Sequence, residues 1–342
     1  MNLSKFLITG SAGFIGFHLV ESLIKMGYTV VGIDNLNEYT DVTIKLDRLK
    51  TSGIHTENVQ YNTKMSSNKS DYTFIQLDIT DLQNLDKLFK QEQFTYVINL
   101  AAHAGVRNSI TNPHAYVQSN IVGFTNILEC CRHHSIKHLL YASSSSVYGN
   151  NIKTPFSEND ATDYPISLYA ASKKANELMA HSYSHLYKLP TTALRFFTVY
   201  GPWGRPDMAP FLFATAIAQQ KAIKVFNNGD LIRDFTYIDD IVNGIIKLID
   251  YIPTEKNEHP YYQLLNIGNA QKISLLTFIT SLENAMGKTT EKIMMPMQAG
   301  DVLCTWADIE RIKNTIAFTP KTDLQEGLTL FVDWFKTYYK VE

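Results

Sequence analysis

Along the first two hundred residues, short apolar runs alternate with longer amphipathic stretches. Leu3–Thr9, Thr29–Asp34, Phe74–Leu77, Tyr96–Leu100, His138–Tyr141 and Thr192–Phe197 read as strands. Between them, Phe14–Met26, Asp81–Gln91, Asn112–His133 and Leu168–Tyr187 carry the spacing of helices. Strands separated by helices make βαβ units, and βαβ units make a parallel sheet. Right-handed crossovers then wind helices onto both faces, giving an α/β doubly wound sheet.

Two stretches break the rhythm. Asn35–Asp71 is polar and too long for an ordinary connection, and it reads as a surface excursion, of a kind that a ligand or partner sometimes orders. After residue 200 the pattern loosens. Gly201-Pro202-Trp203-Gly204-Arg205-Pro206 is a loop by composition, and shorter elements run on to a last helix near Asp323–Tyr339. The expected organisation is a sheet domain over 1–200, with a contribution from 236–270, and a smaller, discontinuous lobe drawn mainly from 201–342.

Composition narrows the class. The 342 residues are 45% hydrophobic and 19% charged with a net charge of −2, so a sizeable core is affordable and disorder is excluded. The balance lacks the basic footprint of a nucleic-acid binder. Cys130, Cys131 and Cys304 form neither a disulfide framework nor a CxxC pair, which fits a reducing cytoplasm. The ten histidines show no metal-ligand spacing, and no metal is expected. No apolar run reaches the ~18 residues of a membrane helix. The apolar stretch after Lys5 is interrupted by Gly10, Gly13 and Gly16 and has no small-residue cleavage site, so it does not read as a signal peptide.

The chemistry starts at Gly10-Ser11-Ala12-Gly13-Phe14-Ile15-Gly16, between the first strand and the first helix. Glycines there allow a tight turn and close approach of a pyrophosphate to a helix N-terminus. The GxxGxxG spacing alone also suits a plain turn. Asp34-Asn35 adds weight, because Asp34 ends the second strand eighteen residues after Gly16. A carboxylate there accepts both hydroxyls of an adenosine ribose and repels a 2′-phosphate, which favours NAD over NADP. Asp78-Ile79 and Leu100-Ala101-Ala102 follow the third and fourth strands, at the sheet edge where a dinucleotide lies. Asp78 reads equally well as an adenine contact or a helix cap.

A second constellation lies downstream. Tyr169 and Lys173 are spaced i, i+4 on one helix face. A phenol with a pKa of about 10 is a poor base at neutral pH, and a nearby ammonium with a positive nicotinamide would lower it. Ser143-Ser144-Ser145-Ser146 follows the fifth strand, where hydroxyls can hydrogen-bond a sugar.

These segments, with Val147-Tyr148-Gly149, Arg195–Pro202 and Arg233–Asp240, resemble the extended short-chain dehydrogenase/reductase superfamily, whose members act on nucleotide sugars through a Rossmann-type domain. The likeness covers nearly the whole chain. Ser144 is placed like the family's catalytic Ser/Thr. Ala104–Arg107, Ser143–Gly149, Gly201–Ala209 and Gly300-Asp301 look like UDP-glucuronate 4-epimerases. The resemblance implies tightly bound NAD, a UDP-sugar substrate, a smaller nucleotide-sugar lobe, and a homodimer paired through helices near 112–133 and 168–187 as a four-helix bundle. It also implies Tyr169, Lys173 and Ser144 as the catalytic set and Arg233 as a diphosphate ligand, with Arg205 as a second candidate. Asp301 would hold the uridine ribose.

Within that superfamily, dehydratases carry an Asp-Glu pair before Val-Tyr-Gly and decarboxylases a Glu. This chain has Ser145 and Ser146. The expected reaction is therefore C4 epimerisation of UDP-glucuronate, with Ser145, Ser146 and Thr198 holding the uronate carboxylate. A UDP-hexose or UDP-N-acetylhexosamine 4-epimerase would share every catalytic residue, and a net NAD-dependent oxidoreductase is the further alternative. Arg107 is open between that carboxylate, a phosphate and a structural role. Galactose-type epimerases usually carry an Arg three residues before the ribose-binding Asp, whereas Gln298 stands here.

Overall fold

A computed structural model describes residues 4–298 and 300–341. Leu3, the expected start of the first strand, lies outside the described residues. The main sheet has eight strands: β1 (Lys5–Thr9), β2 (Thr29–Asp34), β3 (Lys64–Ser66), β4 (Tyr72–Gln76), β5 (Tyr96–Asn99), β6 (His138–Ser144), β7 (Thr191–Phe196) and β8 (Tyr262–Ile267). Their order is β8-β7-β6-β5-β1-β2-β4-β3. Every pairing is parallel except β3 with β4. Leu7, Val31 and Val97 are buried in register on one face and Phe6, Ile8, Val30 and Ile98 in a separate core on the other, so the central strands are apolar on both faces. That is what helices packed on both sides require. The chain reverses direction of growth between β1 and β5, and a crevice opens at their carboxyl ends.

The helices that matter for the site are α1 (Phe14–Lys25), α2 (Val42–Thr51), α3 (Leu82–Glu92), α4 (Phe124–His133) and α5 (Leu168–Tyr187). Asp81 caps α3 by accepting from the Asn84 amide, and Ser167 caps α5 by accepting from Ala170. The doubly wound fold read from the alternation is the one observed.

Two local expectations need correction. Asn112–His133 is not one continuous α-helix. Short helical turns at Asn108–Thr111 and Pro113–Tyr116 lead into a π-helical stretch at Val117–Gly123, and α4 follows. Pro113 supplies no amide donor. In the wide turn, the buried Asn120 amide holds His103 through both its backbone N–H and C=O and also donates to Ser172. Residues 35–71, in turn, are more than an excursion: they contribute α2 and the edge strand β3.

The rest of the chain builds a second lobe beside the crevice. It includes the helix Ala209–Ala218, the parallel pair Ile223–Phe226 with Lys292–Met295, and the helices Leu275–Met286 and Leu324–Tyr339. Among the described residues, no helix is long and apolar enough to cross a membrane.

Candidate active site

A cavity of about 1010 Å3 runs along the crevice from the glycine turn to the second lobe. The turn shapes one end. Gly10 has φ +70°, and its N–H donates to Ile33 O at 2.8 Å. A Cβ on Gly16 would lie 2.1 Å from Gly10 O, so only glycine closes the loop against the helix. Gly13 caps α1 without a side chain, leaving the first-turn N–H groups facing the cavity. Across from it, Asp34 is buried at the end of β2. Its Oδ1 accepts from the Leu36 amide at 2.9 Å and lies 3.5 Å from Lys45 Nζ. An open helix N-terminus beside a ribose-height carboxylate fits an adenine dinucleotide.

Gly10, Gly13, Phe14, Ile15, Gly16, Asp34, Asn35, Ile79, Leu100, Ala101 and Ala102 all line this space. Ala12 and Asp78 do not. Ala12 is buried and gives its carbonyl to Arg48 Nη1 at 2.8 Å. Asp78 accepts from Asn35 Nδ2 at 2.7 Å and from the amide and hydroxyl of Thr80 at 2.8 and 2.7 Å. Its carboxylate thus shapes the turn after β4 and orients Asn35.

The other end gathers Ser144, Ser145, Ser146, Tyr169, Lys173 and Thr198. β6 brings the serines to the sheet edge, and α5 presents Tyr169 and Lys173 to them. Ser143 donates to Glu177 Oε1 at 2.6 Å, and Glu177 also takes two 2.8 Å bonds from Arg195. That buried network pins α5 to the ends of β6 and β7.

Burial raises the Tyr169 phenol above its ordinary value, while hydrogen bonding with Ser144 and the charge of Arg205 pull it back. Lys173 donates to Ala142 O at 2.8 Å, and burial pushes its ammonium down to about 8. Among the protein's own groups, then, the expected lowering of the phenol does not win. The lysine that was to supply it is itself desolvated.

The arginines sort into two places. Arg205 pairs with Asp207 at 2.6 Å and reaches the Tyr39 hydroxyl at 3.5 Å. Tyr39 donates in turn to Ala104 O, and Tyr116, whose ring centroid is 6.1 Å from that of Tyr169, donates to Gly105 O at 2.7 Å. Arg107, Arg233 and Asp301 meet at the lobe end. Arg107 lies 3.5 Å from Asp301 and 5.5 Å from the Phe226 ring centroid. Arg233 Nη1 donates to Ile232 O at 2.8 Å. Burial lowers Arg233, with Asp301 opposing and Arg107 reinforcing the shift.

The sequence reading missed Tyr39, Lys45 and Arg48, which all line the cavity. The available signal was Ile44, Lys45, Arg48 and Leu49 at helical spacing: one buried face in which two positions are basic.

Comparison with known proteins follows this geometry. The profile of the NAD dependent epimerase/dehydratase family matches residues 6–268. The chain belongs to that family. It is an enzyme of the family, an isomerase of nucleotide sugars with NAD as its cofactor. It is 50% identical to protein CapI of Staphylococcus aureus, covering 98% of this chain and 99% of that one. It is 42% identical to a probable UDP-glucuronate 4-epimerase of Rhizobium meliloti, covering 98% of each. The crystal structure of a UDP-glucuronic acid 4-epimerase from Bacillus cereus, in complex with UDP-glucuronic acid and NAD, superposes with a TM-score of 0.86 at 34% identity, covering 98% of this chain and 100% of that one. A UDP-glucose 4-epimerase from Thermotoga maritima gives 0.85 at 27% identity, covering 98% and 99%.

Proposed function

We propose that this enzyme interconverts UDP-glucuronate and UDP-galacturonate by inverting C4. The observation that carries the choice of a uronate is the hydroxyl wall of Ser144, Ser145, Ser146 and Thr198 beside Tyr169, in a cavity that also admits Arg205. The high likeness to UDP-glucuronate 4-epimerases supports it.

In this mechanism Tyr169, as phenolate, accepts the C4 hydroxyl proton, with Ser144 bonded to both oxygens as the relay. The nicotinamide ring supplies the acceptor and donor of hydride at C4, together with a positive charge beside the phenol. Lys173, anchored on Ala142 O, fixes the approach of α5 to the ribose side of the cavity. Ser145, Ser146 and Thr198 donate neutral hydrogen bonds to the sugar carboxylate. They keep the C5–carboxylate bond of the 4-keto sugar out of line with the carbonyl π system, where carbon dioxide would leave. Arg233 and Arg107 grip the diphosphate while Asp301 takes the uridine ribose. The keto sugar turns about that anchor and presents its other face. Glycines 10, 13 and 16, with Ala12 behind them, shape the diphosphate turn for the cofactor. Asp34 takes the adenosine ribose, and Asp78 sets Asn35 beside it.

The same reading includes a homodimer. Val117, Val122, Leu178, Leu186 and Tyr187 are exposed on the packed pair formed by residues 117–133 and α5.

The test is to incubate the enzyme separately with UDP-glucuronate, UDP-glucose and UDP-N-acetylglucosamine and identify products by NMR. UDP-galacturonate from the first, with slow turnover of the others, is the expected result. Preferential turnover of a neutral sugar overturns the uronate assignment. Ser146→Glu is expected to raise carbon dioxide yield. The carboxylate role fails if Ser145→Ala and Ser146→Ala leave uronate kinetics and product partition unchanged.

A further inference from the structure

Arg48 is a charge with no place in the mechanism above. It sits on α2, 2% exposed, and lines the cavity. Among the described residues no carboxylate lies within ion-pair distance of it. Its Nη1 donates to Ala12 O at 2.8 Å, inside the glycine turn. Its Nη2 donates to Trp203 O at 2.6 Å and Gly204 O at 3.1 Å. Its Nε is buried and unpartnered. A buried guanidinium held only by carbonyls is costly, and burial lowers it to about 10. A packing role alone would be met by an apolar side chain at less cost.

The loop it grips has a second donor. His18, on α1, is within 2.9 Å of Pro202 O through Nε2, and burial lowers it to about 4. It is therefore neutral at ordinary pH and donates from Nε2. Three successive carbonyls, 202 to 204, thus receive donors from two helices of the cofactor side. The loop needs holding, because Trp203 has φ +58°, a left-handed conformation that a tryptophan rarely takes. Arg205 follows directly after Gly204; it reaches Tyr39, and its charge acts on the Tyr169 phenol.

We propose that Arg48 is a positioning residue that ties the cofactor turn to the 202–206 loop, so that the dinucleotide end of the cavity sets where Arg205 stands at the sugar end. His18 completes the clamp. This rests on the reading above, in which the two ends take NAD and a nucleotide sugar.

The test compares NAD-loaded wild type with Arg48→Met, Arg48→Lys and His18→Phe, which keeps a ring against Phe14 and Phe17. Hydrogen exchange of the amides in residues 203–208 is read by mass spectrometry, alongside kcat, KM and bound NAD. Arg48→Met is expected to speed exchange there at least tenfold and lower kcat at least tenfold while NAD is retained and KM moves less than threefold. Arg48→Lys, which keeps the charge but not the span, restores kcat only partly. His18→Phe speeds exchange about threefold. Exchange and kcat within twofold of wild type in Arg48→Met overturn the proposal. If that variant does not fold, unchanged exchange in both Arg48→Lys and His18→Phe overturns it. Lost thermal stability with kcat intact shows a structural brace and also overturns it. Exchange needs no substrate, so a wild type inert toward every UDP-sugar sinks the functional reading and leaves the clamp to be judged on exchange.

Discussion

Tyr169 stands in a setting that raises its pKa, in a chain whose proposed chemistry needs a phenolate. A base so placed is idle until charge arrives beside it, which limits wasteful proton transfer. Tyr169→Phe keeps the ring and its contact with Tyr116 and removes the proton acceptor. It is expected to lower kcat by about a hundred- to ten-thousand-fold with NAD content unchanged, read by turnover and by absorbance of the purified protein. Lys173 makes a separate prediction about stability. Its folded pKa of about 8 lies below the 10.5 of a free lysine. Between these values the unfolded chain holds a proton that the folded chain has released, so stability rises with pH. Relative to Lys173→Met, wild type is expected to gain on the order of 2–3 kcal/mol between pH 8 and 10.5, measured by denaturant unfolding across that range. A flat difference contradicts it.

At the level of elements, the join between α5, β6 and β7 is the one the site depends on most. Glu177 and Arg195 are both almost fully buried and bonded twice, with Ser143 adding a third bond. Glu177→Ala strands the Arg195 charge and is expected to cost about 3–5 kcal/mol, seen as a lower denaturant midpoint with an unchanged slope. Much of this level was legible in the sequence. β1, β2 and β5 are short, mostly apolar runs because both faces of a parallel sheet are covered, and the glycine turn and the Tyr169/Lys173 spacing are local in sequence. α2 was not legible, because its inward face carries Lys45 and Arg48. Those stems are buried through bonds to backbone oxygens and to Asn37, which a reading of hydropathy scores as solvent. The partners of Arg48 at Trp203 and Gly204 lie more than 150 residues away, and no local pattern announces them. The π turn escaped for a similar reason: the contact that rewards it, Asn120 to His103, is tertiary.

At the scale of the molecule, α5 has an inner face that holds the proposed catalytic pair, Tyr169 and Lys173, and an outer face that leaves Leu178 and Leu186 exposed at helical spacing. The proposed dimer would cover them. Leu178→Glu with Leu186→Glu is expected to convert a dimer of the wild type into a monomer by light scattering. Because the same helix carries Tyr169, some loss of kcat is expected with it. A wild type that is monomeric at micromolar concentration contradicts the pairing.

The outer margin of the main sheet is closed by β3, three residues running antiparallel to their neighbour. Behind it, Tyr72-Thr73-Phe74-Ile75 in β4 is a run with high β-propensity whose backbone would otherwise be free on one side. A strand so short, beginning with a lysine tethered to Glu92, offers a poor template for another chain. The polar insertion therefore doubles as a guard on solubility. Excising residues 60–70 is expected to leave catalytic groups untouched yet produce protein that clumps on concentration, with growing light scatter as the readout.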